Sequence, residues 1–203
     1  MTVAASSKPF SYGNQHSFHD QILSVFGWTA RHWNDQPEQD FSLSFDQFHL
    51  HPSLLLGLKD MGYSEPTPIQ QQTIPPIMEG QDVIGVAQTG TGKTAAFMLP
   101  ILNRLIEGPA QVTRCLILAP TRELAIQIDE ARMGLAYHSS LSGCVVYGGA
   151  PVLPQVTALK GGADVVTATP GRLLDHLWHG LPKLDKIEVL VLDEADRMLD
   201  MGF

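Results

Sequence analysis

The sequence predicts an α/β fold in which a parallel β-sheet is flanked by helices. Short runs rich in Val, Ile and Leu, typical of strands buried on both faces, alternate along residues 41–203 with longer segments of helical spacing. Gly or Pro marks most of the joints between them. Strands that alternate with helices of this length indicate βαβ units, and such units build a parallel sheet with helices on both faces.

The individual elements follow from the same pattern. The predicted strands are residues 82–87, 115–119, 143–147, 165–168 and 187–192. The predicted helices are residues 51–61, 67–79, 93–106, 122–136, 152–160 and 171–179. We expect the last helix to turn Leu173, Leu174, Leu177 and Trp178 toward the core. Residues 1–40 show no long periodic pattern, so we expect a mostly disordered extension before a folded domain at 41–203.

Composition excludes several classes of protein. No apolar run approaches the roughly 20 residues of a membrane helix, and the amino-terminal residues do not resemble a secretory signal. Cys115 and Cys144 are isolated from each other, which favours a reduced, cytoplasmic protein. The 203 residues include 13 Lys and Arg against 21 Asp and Glu, a net charge of −8. This balance argues against binding nucleic acid by bulk charge, but a few placed residues can still grip phosphates.

A phosphate-binding loop is predicted at residues 87–94, Ala-Gln-Thr-Gly-Thr-Gly-Lys-Thr, between a predicted strand and a predicted helix. Glycines there let backbone N–H groups converge on phosphates, and the amino end of the helix adds its dipole. Lys93 would reach the β- and γ-phosphates, and the Thr94 hydroxyl would ligate Mg²⁺. The predicted nucleotide-binding residues of the loop are Gln88, Thr89, Gly90, Thr91, Gly92, Lys93 and Thr94.

An acidic quartet, Asp-Glu-Ala-Asp, follows the predicted strand 187–192 directly. Asp193 would lie at the carboxyl edge of the sheet and hold Mg²⁺, partly through water, while Glu194 would act as general base on the attacking water. Taken alone, such a quartet is more often a set of charges that suits the amino end of a helix. Paired with the phosphate loop, it indicates an ATPase site with Lys93, Asp193 and Glu194 as catalytic residues.

The same quartet names the DEAD-box RNA helicases, and the chain resembles this family over about residues 41–203. Loop 87–94 matches the family's first motif, and residues 62–70, Gly-Tyr-Ser-Glu-Pro-Thr-Pro-Ile-Gln, resemble its Q motif. The resemblance implies that Gln70 reads the adenine edge by hydrogen bonds and that Phe45 stacks on the adenine face. Without the resemblance, the Q-motif residues are as well explained by a helix start, and Phe45 by a place in the core.

Three further loops are similar to the family's motifs Ia, GG and Ib. Their residues are Pro120, Thr121 and Arg122; Gly148 and Gly149; and Thr169, Pro170, Gly171 and Arg172. The resemblance implies contacts with the backbone of single-stranded RNA, which carry no sequence information. The residues agree, because each loop follows a predicted strand and two of them open a helix with an Arg near its amino end, a pattern that binds anions. The carboxyl edge of an α/β sheet is also where ligands bind.

The chain departs from the family after the acidic quartet. Family members have two RecA-like P-loop domains, whereas this sequence ends ten residues after Asp193, before the Ser-Ala-Thr motif and its strand. In the family that strand lies between the strands of the phosphate loop and of the acidic quartet. We therefore expect an N-terminal RecA-like domain that is incomplete at its carboxyl end, with a gap in the middle of its sheet. The absent second domain would supply arginine fingers, worth on the order of 10³–10⁵ in rate in related NTPases.

The resemblance implies an ATP-dependent RNA helicase whose cofactors are ATP and Mg²⁺ and whose partner is RNA, with no membrane and with protein partners left open. The sequence alone predicts a fragment with little activity of its own. Two alternatives remain open at this point: a non-catalytic module that binds nucleotide or RNA, and a DNA-directed or unrelated P-loop ATPase. The residues resembling the Q motif argue against the last of these.

Overall fold

A computed structural model describes residues 2–6, 44–88 and 90–202 and has the predicted α/β architecture. Its strands are β1 (Thr2–Ser6), β2 (Val83–Val86), β3 (Cys115–Leu118), β4 (Gly143–Val146), β5 (Val165–Ala168) and β6 (Val189–Leu192). A 3₁₀ helix at Phe45–Phe48 precedes the α-helices. These are α1 (Pro52–Asp60), α2 (Pro68–Met78), α3 (Lys93–Ile106), α4 (Arg122–Leu135), α5 (Val152–Lys160), α6 (Pro170–Trp178) and α7 (Ala195–Asp200).

The strands form one sheet in the order β2-β1-β6-β3-β5-β4. The four strands from β6 to β4 pair in parallel, which confirms the predicted parallel sheet flanked by helices. Parallel pairing places the carboxyl ends of these strands at one edge, from which the loops that follow them leave. The five strands predicted from the sequence are all present; β5 has the predicted bounds, and the other four are shorter by one or two residues at an end.

The gap predicted in the middle of the sheet is filled: β2 and β6 do not pair with each other, and β1 lies between them. β1 runs antiparallel to both neighbours, with Ala4 opposite Ile84 on β2 and opposite Leu192 on β6. Thr2–Ser6 are thus a strand within the segment expected to be mostly disordered, and since residues 7–40 lie outside the described residues, that expectation stays a prediction. The backbone groups of β2 and β6 that face the gap thus find partners in a strand from the amino-terminal segment.

Helices cover both faces of the sheet, and β3 shows this in its side chains. Cys115 and Ile117 point into one apolar core, which α1 to α4 cover, whereas Leu116 points into a second core that includes Leu173 of α6. Alternation of neighbouring residues between two faces is the geometry of a strand, and burial on both faces explains why the run of apolar residues is continuous. Among the helices of the described residues, none has the length and apolar character that crossing a bilayer requires.

The predicted core face of α6 is only partly correct. Leu173 is buried and Leu177 packs against the second core, but Leu174 is exposed and Trp178 is 80% exposed. Helical spacing assigned Trp178 to the core because it is large and apolar, yet it is the last residue of its helix and its side chain is exposed. His176 takes the buried position instead.

Candidate nucleotide and nucleic-acid site

The predicted phosphate loop joins β2 to α3, as the sequence indicates. β2 ends at Val86 and α3 begins at Lys93, so the amino end of the helix is directed at the loop. Gly90 and Gly92 have φ angles of 80° and 86°, a left-handed conformation that strains residues with a side chain. Thr89 lies outside the described residues. The loop therefore has the backbone shape that lets N–H groups face an anion.

Lys93 is held by the loop it follows. Its Nζ donates hydrogen bonds to the carbonyl of Ala87 and, over 2.6 Å, to that of Gln88. Burial lowers the pKa of Lys93, and the carboxylates of Asp193 and Glu194 oppose this change by stabilising the ammonium. The sensitivity of Lys93 to these carboxylates shows that the phosphate loop and the acidic quartet share one electrostatic environment.

Asp193 follows β6 and is fully buried. Its Oδ1 accepts a hydrogen bond from the N–H of Glu194 over 3.0 Å, whereas its Oδ2 is buried and has no hydrogen-bond partner in the described part of the chain. Burial is the main cause that raises the pKa of Asp193 to about 6; the charge of Glu194 adds to the rise, and the N–H of Glu194 and the ammonium of Lys93 oppose it. A buried carboxylate oxygen without a partner is unusual in a native fold and indicates a missing ligand.

Mg²⁺ fits this oxygen. The ion prefers oxygen ligands and is usually bound by one or two carboxylates together with substrate phosphates, so a single Asp at a phosphate loop is a sufficient protein contribution. Thr94, in the first turn of α3, provides a hydroxyl next to Lys93. In the described residues no group of three or more His, Cys, Asp or Glu residues could hold a metal by itself. A site completed by nucleotide phosphates is therefore the arrangement that these residues suit.

Glu194 adopts a left-handed backbone conformation, with φ 52°, at the start of α7. For a residue with a side chain this conformation costs about 1–2 kcal/mol, and such strain is concentrated at functional sites. Its Oε2 accepts a hydrogen bond from Arg197 Nη1 over 3.3 Å. The structure thus places the predicted general base next to Asp193 at the same end of β6.

Gln70 lies beside the phosphate loop and is fully buried. Its Nε2 donates to the carbonyl of Gly92 over 3.1 Å, and its Oε1 accepts from the N–H of Thr67 over 2.9 Å. Thr67 adds a second link, because its hydroxyl donates to the carbonyl of Thr91 over 2.8 Å. In this conformation the Gln70 amide supports the loop, and its reading of adenine stays a prediction. The sequence did not indicate the role of Thr67, although Thr before Pro is a typical helix start.

Phe45 belongs to the core in this structure. It is 5% exposed, and its ring packs edge-on against the rings of Phe48 and Tyr63, with centroid distances of 6.1 and 6.2 Å. This is the alternative that its sequence context left open. The structure does not bring a free face of the Phe45 ring to the phosphate loop, and adenine stacking by Phe45 stays a prediction.

The three loops predicted to bind RNA lie side by side at the carboxyl edge of the sheet. An added Cβ on Gly149 would lie 3.9 Å from Arg122 Nη1, and Arg172 Nη1 donates to the carbonyl of Ala150 over 3.3 Å. Arg122 is exposed in the first turn of α4, which the Thr121 hydroxyl caps by accepting from the N–H of Leu124. The remaining members of the predicted set line the same loops: Pro120, Gly148, Thr169, Pro170 and Gly171.

Two buried polar residues behind these loops were not singled out from the sequence. Gln155 on α5 and His176 on α6 form a hydrogen bond, with 3.1 Å between Gln155 Oε1 and His176 Nε2. The available signal was a polar residue at a position where helical spacing calls for an apolar one, four residues before the buried Leu159. Burial lowers the pKa of His176, and the neighbouring Arg172 charge adds to this effect.

Comparison with known proteins agrees with this geometry. Residues 67–203 match the family model described as DEAD/DEAH box helicase, so the chain belongs to this family. It is 50% identical over 175 residues to the mouse (Mus musculus) protein named probable ATP-dependent RNA helicase DDX27, an alignment that covers 84% of this chain and 23% of that protein. It is 49% identical over 162 residues to ATP-dependent RNA helicase DeaD of Mycobacterium tuberculosis, covering 79% of this chain and 28% of that protein.

A solved structure has the same fold. The crystal structure of a DEAD box protein from the hyperthermophile Methanococcus jannaschii superposes with a TM-score of 0.71 and 36% sequence identity. The match covers 78% of this chain and 43% of that chain. This chain therefore spans about a quarter of the length of the two relatives named above and less than half of this solved chain.

Proposed function

We propose that this chain binds ATP with Mg²⁺ at the phosphate loop, binds the backbone of single-stranded RNA at the neighbouring loops, and hydrolyses ATP as part of an ATP-dependent RNA helicase. The observation that carries the proposal is Asp193 Oδ2, a buried carboxylate oxygen without a partner, in the same electrostatic environment as Lys93. Membership of the DEAD/DEAH box family supports the same activity.

The residues take separate roles in ATP hydrolysis. Lys93 would exchange the carbonyls of Ala87 and Gln88 for the β- and γ-phosphates, which offer stronger, charge-assisted hydrogen bonds. Asp193 Oδ2 and the Thr94 hydroxyl would hold Mg²⁺, which neutralises charge on the phosphates. Glu194 would orient the attacking water and accept its proton. Gln70 and Phe45 would recognise adenine after leaving their present contacts.

RNA would be bound through its sugar–phosphate backbone. Arg122 is exposed beside the Gly149 turn and pairs with the equally exposed Glu123, which a phosphate would displace. Two of the three loops lead into the amino end of a helix. None of these groups reads a base edge, so we propose binding without sequence preference. A cytoplasmic location also stays a prediction, which two buried, unpaired cysteines support.

A second candidate is a module that binds nucleotide or RNA without turnover. The contacts that favour it are those of Lys93 with its own loop and of Phe45 with the core, because both residues must move before the predicted ATP contacts can form. A chain that binds ligands but does not complete this rearrangement would show affinity without hydrolysis.

ATP hydrolysis by the chain, measured with single-stranded RNA, with DNA of the same sequence and with neither, separates the candidates. RNA-stimulated hydrolysis that is lost in Lys93→Ala and in Glu194→Gln supports the first. Binding of a fluorescent ATP analogue and of labelled RNA without hydrolysis supports the second. Stimulation by DNA alone, or no affinity for ATP or RNA, contradicts both. Glu194→Gln should retain ATP binding, since the substitution removes the base and leaves the phosphate contacts.

A further inference from the structure

The turn that carries Gly148 and Gly149 presents two backbone N–H groups that have no acceptor in the part of the chain that the structure describes. Both glycines are exposed, and Gly149 has a φ angle of 83°. Within the described residues, neither glycine N–H donates to a backbone or side-chain acceptor. Successive free N–H groups next to a left-handed residue form a concave site for an anion, provided that the turn keeps its shape.

Gln155 bridges the two ends of this turn. Its Nε2 donates to the carbonyl of Tyr147, before the glycines, and to the carbonyl of Pro151, after them, each over 3.2 Å. A primary amide nitrogen has two N–H groups, so both are used in holding the turn. Gln155 is 6% exposed, and water therefore has little access to replace these bonds.

His176 fixes the amide that holds the turn. Its Nε2 lies 3.1 Å from Gln155 Oε1, and because that oxygen can only accept, the imidazole must carry its proton on Nε2. An amide that accepts from His176 on one side is obliged to direct its nitrogen to the two backbone carbonyls on the other. His176 is buried on α6, so this contact also joins the α6 side of the site to α5.

Two arginines flank the turn that Gln155 holds. Arg172 Nη1 donates to the carbonyl of Ala150 over 3.3 Å, and Arg122 Nη1 would lie 3.9 Å from a Cβ on Gly149. Guanidinium groups from both neighbouring loops thus lie close to the turn, and each also pairs with an exposed carboxylate, Arg122 with Glu123 and Arg172 with Asp175. A shift of about 1 Å in the turn would misplace its N–H groups relative to both arginines, and errors of this size in supporting residues are costly to binding.

We propose that Gln155 and His176 are positioning residues for RNA binding, which hold the Gly148–Gly149 turn in the shape that receives an RNA phosphate between Arg122 and Arg172. The inference rests on the proposed function, since it assumes that these loops bind RNA. Neither side chain touches the RNA, and their effect passes through the backbone of residues 147–151. Substitution should weaken RNA binding about tenfold, the lower end of what loss of supporting hydrogen bonds costs at metal sites.

The test is RNA affinity of the full chain, measured by fluorescence anisotropy with a labelled single-stranded oligouridine at several salt concentrations. Gln155→Met keeps the length of the side chain and removes its hydrogen bonds, and Thr157→Ala on the exposed face of α5 is the matched control. We expect weaker binding by Gln155→Met with an unchanged slope of log K against log salt, because no phosphate contact is lost. Arg122→Ala should lower that slope by about one.

A double-mutant cycle separates positioning from general destabilisation. His176→Leu should weaken RNA binding as Gln155→Met does, and the double variant should be no weaker than either single variant, because both substitutions break the same chain of bonds. His176→Gln, which retains a donor, should restore part of the affinity. The backbone amide NMR signals of Gly148 and Gly149 should shift in Gln155→Met, with or without RNA, and should stay in place in Thr157→Ala.

Three results would overturn the inference. Gln155→Met could bind RNA as tightly as the unchanged chain. Gln155→Met could bind RNA as tightly as the unchanged chain at a temperature low enough for both to be fully folded, which would mean that its weaker binding at higher temperature came from unfolding. The effects of Gln155→Met and His176→Leu could add in full. If the unchanged chain binds no RNA at all, the proposed function fails together with this inference, whereas an unchanged chain that binds with an unaffected variant refutes the positioning role alone.

Discussion

The side-chain amide of Gln70 donates a hydrogen bond to the backbone carbonyl of Gly92, 3.1 Å away. The two residues lie 22 positions apart in the sequence, one in the first turn of α2 and the other in the phosphate loop, directly before the first residue of α3. This bond, with that of Thr67 to Thr91, fixes the end of the loop to α2. The shape of the phosphate loop therefore depends on α2, a helix that comes before β2 in the sequence.

Gln70→Leu should destabilise the chain by about 1–3 kcal/mol and weaken nucleotide binding, because it leaves the Thr67 N–H without its partner and the Gly92 carbonyl with only the bond from the Ala96 N–H. Affinities for ATP and for GTP then distinguish two roles. A residue that only supports the loop loses affinity for both nucleotides equally, whereas a residue that reads adenine loses its preference for ATP. Gln71→Leu, which breaks a bond to Pro66 instead, is the control and should leave nucleotide affinity intact.

Gly92→Ala should be worse than Gly90→Ala, although both glycines have left-handed backbones. The Gly90 substitution meets nothing within 4 Å and should cost only the strain of the conformation, about 1–2 kcal/mol. A Cβ on Gly92 would lie 2.5 Å from Gln70 Nε2, so the amide must move, and we expect a further 1–3 kcal/mol or so. Urea unfolding of the two variants measures the difference, and equal midpoints would contradict this account.

Asp193→Asn should make the chain more stable at neutral pH while abolishing Mg²⁺-dependent hydrolysis. Burial raises the pKa of Asp193 to about 6, so the folded state favours the protonated carboxyl. The stability that this group contributes is fully present below its unfolded pKa of 3.8 and is lost as the pH rises through 6. The asparagine variant should remove that loss, on the order of 2–3 kcal/mol at pH 7. Unfolding free energies at pH 4 and pH 7 provide the check: a variant that gains nothing at pH 7 relative to pH 4 would disprove the role of burial.

Ala4→Pro should lower the free energy of unfolding by about 1–3 kcal/mol. β1 lies between β2 and β6, and proline at its centre removes an N–H from a strand that has a neighbour on each side. Ala4→Ser keeps the N–H and is the control. Urea denaturation of both variants decides the matter, and an unchanged midpoint for Ala4→Pro would mean that β1 adds nothing to the sheet.

Much of the fold follows from residue patterns that are local in sequence. The run at 115–118 is apolar throughout because both of its faces are covered, and the loop before Lys93 needs its glycines at left-handed positions. The 3₁₀ helix at Phe45–Phe48 and the short α7 carry no periodic signal long enough to predict them. Trp178 was predicted to lie in the core and is exposed, because a large apolar side chain at the end of a helix need not have a neighbour to pack against.

The predicted site residues share an edge of the sheet because strand order places them there, but their partners are long-range. The sequence did not indicate Gln155, because its hydrogen-bond partners, His176 and the Tyr147 carbonyl, are identified only by the folded structure. β1 was missed for a similar reason: five residues of small and β-branched type at the chain's amino end carry no sign of the partners they will meet. β1 lies where it does because β2 and β6 leave a position between them that no other described strand fills.

The phosphate loop and the acidic quartet follow two strands, β2 and β6, that do not pair with each other. Lys93 follows β2 and Asp193 follows β6, and the distance between these strands is two strand spacings of about 4.8 Å each, with β1 as the spacer. The presence of β1 therefore sets the distance between the two strands that carry the site. Any event that loosens or replaces this one strand changes the separation of the lysine and the aspartate together, without altering a residue of either motif.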